Sequence, residues 1–170
     1  MSVSQPWLGL DVGTRRIGVA LSNSLGIAAP LLTIERTQPR RDQRSILRLL
    51  RRHGCAGIVV GNPLHLSGDR SRQTERVHRF VDELKALIAE TFPEAGPAID
   101  RASLPVGLPV HLWDERLSTA EAHAALEATG HDPADPHIRR HKVDQLAAAL
   151  ILQGWLDAQS GRVTLLPPDP

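Results

Sequence analysis

Trp7-Leu8-Gly9-Leu10-Asp11-Val12-Gly13-Thr14-Arg15-Arg16-Ile17-Gly18-Val19-Ala20-Leu21-Ser22 is the stretch whose reading decides the architecture. Two short apolar runs, 7–12 and 16–22, flank a Gly13-Thr14 turn, and runs of that length bounded by turn residues read as paired strands. Pro30 to Ile34 extends the hairpin to a three-stranded antiparallel start. The stretch also holds one misplaced charge. Asp11 interrupts an otherwise apolar strand, where an ionised carboxylate is costly unless it is paired or metal-bound. A turn role, with the Asp11 side chain capping backbone N–H groups around Gly13 and Thr14, accounts for the residue equally well.

Outward from the hairpin, Asp42 to His53 shows helical spacing, with Ile46, Leu47, Leu49 and Leu50 among arginines and Gly54 as a stop. Gly57 to Gly61 is a continuous apolar run, the pattern of a central strand covered on both faces. Ser71 to Glu90 carries Val77, Phe80, Val81, Leu84, Leu87 and Ile88 on one helical stripe. Residues 92–109 hold prolines and glycines in irregular order and read as a surface loop. Val110 to Trp113 is a further strand. Ser118-Thr119-Ala120-Glu121 is a capping box opening a helix that runs to about Thr129. His131 to His141 reads as a mobile polar loop, and Lys142 to Ala158 as the last helix. The order β-β-β-α-β-α-β-α-α predicts an α/β fold, a mixed five-stranded sheet with helices on both faces. With right-handed crossovers this is the layout of the ribonuclease H fold. One domain is expected over residues 1–158, followed by a disordered tail at 159–170.

The chain of 170 residues is long enough for one proper core. Its 3% aromatic content means that core must be built from Leu, Ile, Val and Ala. No apolar run approaches the roughly 20 residues a membrane span requires. The amino terminus shows no basic stretch followed by an apolar segment, so a cytoplasmic location without membrane attachment is expected. Cys55 is the single cysteine, which excludes an internal disulfide and a multi-cysteine zinc site. Its position before Ile58-Val59-Val60 predicts a buried, inert thiol. Net charge is +1, and Lys85 and Lys142 are the only lysines. Arginine therefore dominates the basic residues, and its planar fork suits phosphate contacts. The clusters Arg15-Arg16, Arg40-Arg41, Arg51-Arg52, Arg70 with Arg72, and Arg139-Arg140 fall near element ends and could form a nucleic-acid footprint. Genomic base composition explains arginine enrichment equally well.

Three further acids stand at the edges of apolar segments. Asp114 and Glu115 lie where the 110–113 strand gives way to the capped helix, and Asp144 lies in the expected first turn of the last helix. A helix dipole favours acids in such places without any function. Taken together with Asp11 they point elsewhere. In an α/β sheet, ligands gather at the carboxyl ends of strands and the adjoining helix starts. Asp11, Glu115 and Asp144 can converge there, where ionised acids would repel one another without a cation between them. Two cations about 3.5–4 Å apart could activate water and stabilise the leaving oxygen of a phosphodiester. Mg²⁺ fits that ligand set, and Mn²⁺ would be tolerated. His131, His137 and His141 are expected to be solvated rather than ligating. Gly61-Asn62-Pro63-Leu64-His65-Leu66-Ser67-Gly68 resembles a phosphate-approach loop, although tight turns alone also account for its glycines.

Four strings in order, Asp11-Val12-Gly13-Thr14 with Arg16 to Ala20, Val60-Gly61-Asn62-Pro63-Leu64, Asp114-Glu115-Arg116-Leu117-Ser118-Thr119, and Lys142-Val143-Asp144-Gln145 onward to Leu152, resemble the YqgF family. Its members are also described as RuvX-type Holliday junction resolvases or pre-16S rRNA nucleases. The resemblance covers Leu8 to about Leu156. It implies a ribonuclease H-like fold and a metal-dependent endonuclease with Asp11, Glu115 and Asp144 as catalytic and metal-binding acids, and Asp114 as an auxiliary. Gly13, Thr14, Arg15, Arg16, Gly61, Asn62, Arg116 and Lys142 are the expected substrate-binding residues. The expected substrate is structured RNA, at the 5′ side of the 16S rRNA precursor during ribosome biogenesis. Branched four-way DNA in recombination and repair is the alternative, and the chain is expected as a monomer or weak homodimer. Asn62 departs from the family, which more often has Leu there; the 92–109 loop is longer than in compact members, and the tail beyond Ala158 is unmatched. Asp-x-Gly-Thr in a hairpin is also similar to the phosphate loop of the actin, heat-shock chaperone and sugar-kinase group. Those proteins pair two such domains around ATP, a cleft one domain of this length cannot build. A non-catalytic nucleic-acid-binding module is the remaining alternative, disfavoured by the presence of all three acids.

Overall fold

The computed structural model describes residues 5–63, 72–92, 107–115, 122, 124–125, 127–128 and 135–160, with Glu115 described by its backbone alone. The elements follow the expected order: β1 (Trp7–Val12), β2 (Arg16–Ser22), β3 (Ala28–Glu35), α1 (Pro39–His53), β4 (Gly57–Pro63), α2 (Arg72–Thr91), β5 (Val110–Glu115) and α3 (Pro136–Gln159). Residues 122, 124, 125, 127 and 128 are helical, inside the span expected from the capping box; the box itself lies outside the described residues. The strands form one sheet in the order β3-β2-β1-β4-β5. β1 and β3 pair antiparallel with β2, while β4 runs parallel to β1 and β5 parallel to β4. This is the mixed five-stranded, ribonuclease H-like layout. It sends the carboxyl ends of β1, β4 and β5 to one edge.

Strand alternation sorts the residues onto two faces. Leu8, Leu10, Val12, Ile17, Val19, Ile58 and Val60 pack with Ile46, Leu50, Val77, Phe80, Val81 and Leu84 of α1 and α2. Burying aliphatic chains of this size stabilises the fold by about 1.5–3 kcal/mol each. The opposite parity faces α3, where Ala20 and Val59 meet Ala148, Ala149, Ile151, Leu152 and Trp155. That helix lies close against the sheet because two strand residues lack a side chain. A Cβ at Gly9 would come 2.7 Å from Leu152 Cβ, and one at Gly18 would come 1.9 Å from the Asp144 carbonyl oxygen. Cys55 is buried, and that burial pushes its thiol up to about 12, as expected of an inert side chain.

Several boundaries differ from the expectation. β3, β4 and β5 are longer than the apolar runs alone, because hydrogen-bonded register carries each beyond its apolar residues: Arg16 pairs with Glu35 and Asn62 with Asp114. α1 begins at Pro39 rather than Asp42. The larger correction concerns α3, which begins at Pro136 and not at Lys142, so the polar segment 136–141 is helix rather than loop. Its reason is local. Asp135 Oδ1 accepts the His137 N–H at 2.8 Å, and a proline at the first helical position needs no N–H partner. Asp144 consequently stands in the third turn, beyond reach of the dipole argument. At the other end Gln159 belongs to the helix, where the Ser160 N–H closes on Leu156 O at 3.0 Å. The segment 161–170 lies outside the described residues, as do 93–106 of the expected loop and His131.

Candidate active site

Asp11 is the penultimate residue of β1 and shares the strand parity of Gly9, whose Cβ position points at α3. On the neighbouring strand its register partner is Gly18, the residue over which the Asp144 backbone lies. Two carboxylates, 133 positions apart in the chain, are thereby brought to the same face of the sheet. The carboxyl of Asp11 is crowded by protein atoms although part of the residue reaches solvent. Its pKa is pushed up to about 7, first by desolvation and then by the charge of Asp144. The capping alternative does not hold: the Gly13 N–H donates to Arg16 O at 2.9 Å. Among the described residues, Asp11 has no hydrogen-bond donor.

Asp144 is compensated differently. Arg16 Nε donates to its Oδ2 at 2.5 Å, with both side chains about one-fifth exposed. Arg16, expected to meet substrate, is thus committed to an acid within the fold. Gly13 forms the hairpin turn, and its carbonyl accepts Arg36 Nη1 at 2.8 Å. Thr14, Arg15 and Lys142 are exposed, and Gly61 is buried inside β4. Arg116 lies outside the described residues, as do 64–71 of the expected phosphate-approach loop. Glu115 closes β5 opposite Pro63 of β4.

Asn62 and Asp114 belong to the other face. Asn62 Nδ2 donates to Asp114 Oδ1 at 3.3 Å, and Asn62 Oδ1 lies 3.1 Å from Nε2 of His78 on α2. Asp114 thus faces away from Asp11, which separates it from any ion held between Asp11 and Asp144. Sequence reading also missed a cluster: Glu35 at the end of β3 meets His141 of α3, with His137 one turn earlier. A histidine pair four residues apart after Asp135-Pro136 carries a helical signal, but a loop assignment hides it.

The donor set around Asp11 fits a divalent cation. A carboxylate held without a hydrogen-bond donor beside a second carboxylate is a group that gains most from a nearby cation. Oxygen ligands alone suit Mg²⁺ or Mn²⁺ better than a thiol- or imidazole-seeking ion.

A relative from Syntrophus aciditrophicus (strain SB), named "Putative pre-16S rRNA nuclease", is 42% identical over 154 residues, 90% of this chain and 89% of the relative. Among solved structures, the yeast mitochondrial Holliday junction resolvase Ydc2 superposes with TM-score 0.54 at 14% identity, covering 93% of this chain and 80% of that one. RuvC of Thermus thermophilus, solved in complex with a Holliday junction substrate, gives 0.52 at 17% identity, covering 93% and 97%. These two likenesses are of fold. The family model described as "RuvX: Holliday junction resolvase" matches residues 5–158, and the chain belongs to that family.

Proposed function

We propose that this protein is a divalent-metal-dependent endonuclease that hydrolyses phosphodiester bonds in structured RNA, processing the 5′ end of the 16S rRNA precursor. The observation that carries this reading is the pair Asp11 and Asp144, an acid raised to about 7 beside a second acid at the carboxyl edge of the sheet. Asp11, Asp144 and Glu115 would hold the ion, Mg²⁺ or in its place Mn²⁺. Glu115 joins them because β5 ends at the same edge as β1, two strand spacings of about 4.8 Å across the sheet and two residues further along, opposite Pro63 of β4. A bound cation supplies positive charge that neutralises the acids and polarises the scissile phosphate. Arg16 keeps Asp144 oriented through its guanidinium. Exposed Thr14 and Arg15 stand beside this edge. An exposed arginine there suits a phosphate backbone. No described helix is long and apolar enough to cross a membrane, and an rRNA-processing role belongs in the cytoplasm.

RNA is preferred because the curated relative that shares 42% of its residues over most of both chains carries that name. The family's own description supports a second substrate, four-way junction DNA. A junction resolvase must cut two opposed strands, which calls for a symmetric dimer, whereas trimming RNA does not. The deciding experiment incubates purified precursor rRNA and a synthetic four-way junction side by side with the protein and Mg²⁺, using Asp144→Asn as control. Cleavage of the precursor alone at its 5′ side supports the first reading. Symmetric nicking of the junction alone replaces it with the second. Chelator-resistant cleavage, or none of either substrate, overturns the nuclease assignment.

A further inference from the structure

One cluster lies outside the acidic pair and is made of different chemistry. Glu35 is the last residue of β3, and His137 and His141 stand four apart in the first two turns of α3. One ligand atom from each of the three lies within 4.8 Å of the others. His141 Nε2 is 2.6 Å from Glu35 Oε1, and the two imidazole rings are 4.3 Å apart between centroids, tilted by 58°. Histidines at i and i+4 present their rings on one helix face, the spacing by which helices hold zinc. Glu35 and His137 are exposed and His141 half-buried, so an ion can enter without opening the fold.

We propose that Glu35, His137 and His141 form a second metal site, for a borderline divalent transition ion such as Zn²⁺, Co²⁺ or Ni²⁺. Two imidazoles and one carboxylate are ligands for those ions, whereas Mg²⁺ prefers oxygen throughout. Tetrahedral ligands around zinc sit about 3.4 Å apart, given metal–ligand bonds near 2.1 Å. The exposed side chains reach that spacing from 4.8 Å by small rotamer adjustments. Three protein ligands leave a fourth position for water. The hydrogen bond between His141 and Glu35 is what the metal replaces. Its consequence is mechanical: the ion ties the first turns of α3 to the end of β3. Glu35 is the register partner of Arg16, and Arg16 holds Asp144, so the tie lies one strand from the acid pair. The proposal does not depend on the nuclease reading.

Zinc titration by calorimetry, paired with thermal denaturation in zinc and in EDTA, tests it on the full chain. Asp11→Asn serves as a background that weakens the acidic site. In that background zinc should still bind at one equivalent and raise the melting temperature. His137→Ala and His141→Ala should each weaken zinc binding at least tenfold and abolish the thermal gain, and Glu35→Gln should weaken it less. Since His137 is exposed, its variant should keep the wild-type melting temperature in EDTA, which separates lost binding from lost folding. Zinc affinity unchanged in both histidine variants, or zinc binding that vanishes in Asp11→Asn alone, would overturn the site. Failure of cleavage in the precursor assay would leave this result untouched.

Discussion

Two acids near the carboxyl edge of one sheet behave differently because they occupy opposite faces. Asp11 looks toward α3, has no hydrogen-bond donor among the described residues, and shares its surroundings with Asp144; its pKa rises to about 7. Asp114 looks toward α2, is exposed, and receives the Asn62 amide at 3.3 Å. Residue type and closeness to a strand end are the same. What differs is strand parity, and behind it the identity of the covering helix. A carboxylate on the face that already holds an acid becomes a place where a cation is favoured, while the one beside a neutral amide and water needs none.

The largest effect should separate the two outright. Asp11→Asn should lower kcat/KM on precursor RNA by on the order of 10³-fold, the scale of losing one preorganised electrostatic group. Asp114→Asn should change it less than about threefold, since it keeps the shape and lies across the sheet. Equal losses in the two variants would dissolve the distinction between faces.

Next comes the glycine that lets α3 settle. Gly18→Ala places a methyl 1.9 Å from the Asp144 carbonyl oxygen, so the helix must retreat. Overpacking of this kind costs about 1–3 kcal/mol or more. It should also displace Asp144 and remove most activity, read by urea denaturation and by the cleavage assay on the same preparation.

A comparable energy should appear with the opposite sign in the metal-free protein. Burial and Asp144 raise Asp11 from 3.8 to about 7, so the fold binds a proton that the unfolded chain releases. That contribution is fully present below about pH 4 and lost as pH rises through about 7. In EDTA at pH 8, Asp11→Asn should therefore stabilise the protein by about 2–4 kcal/mol, and by nearly nothing at pH 4. Denaturant melts at the two pH values measure this. By the same linkage, Mg²⁺ competes with the proton, so the Mg²⁺ concentration giving half-maximal cleavage should fall as pH rises from 6 to 8.

The smallest effect concerns exposed charge. Arg15→Ala should reduce RNA affinity modestly and flatten its dependence on salt by about one counterion. An unchanged slope would remove Arg15 from the phosphate contacts while leaving the acid pair intact.

The hairpin, the central strand and the helical stripe of α2 were legible in the sequence because their patterns are local: apolar runs of strand length and a 3.6-residue period. Asp11 stood out for the same reason, a charge inside an apolar run. Parity beyond Trp113 was not legible, since β5 continues through two charged residues that read as the strand's end. Counting from Trp113 would then have put Asp114 on the far face. The start of α3 was lost to its composition, although Asp135-Pro136 is a sound helix opening. Glu35 and His141 lie 106 positions apart, and no local pattern could join them. Long-range pairing comes from sheet order, and sheet order is a property of the packed whole.

The packing of α3 also has a practical consequence for anyone following the protein in solution. Trp7, Trp113 and Trp155 are the only tryptophans, there is no tyrosine, and all three indoles lie with the cluster beneath that helix. Trp7 and Trp155 sit 4.3 Å apart between ring centroids, with His111 stacked on Trp155 at 5.4 Å. Intrinsic fluorescence is therefore a reporter of one event, the seating of the helix that carries Asp144, and loss of that seating can be timed optically without a label.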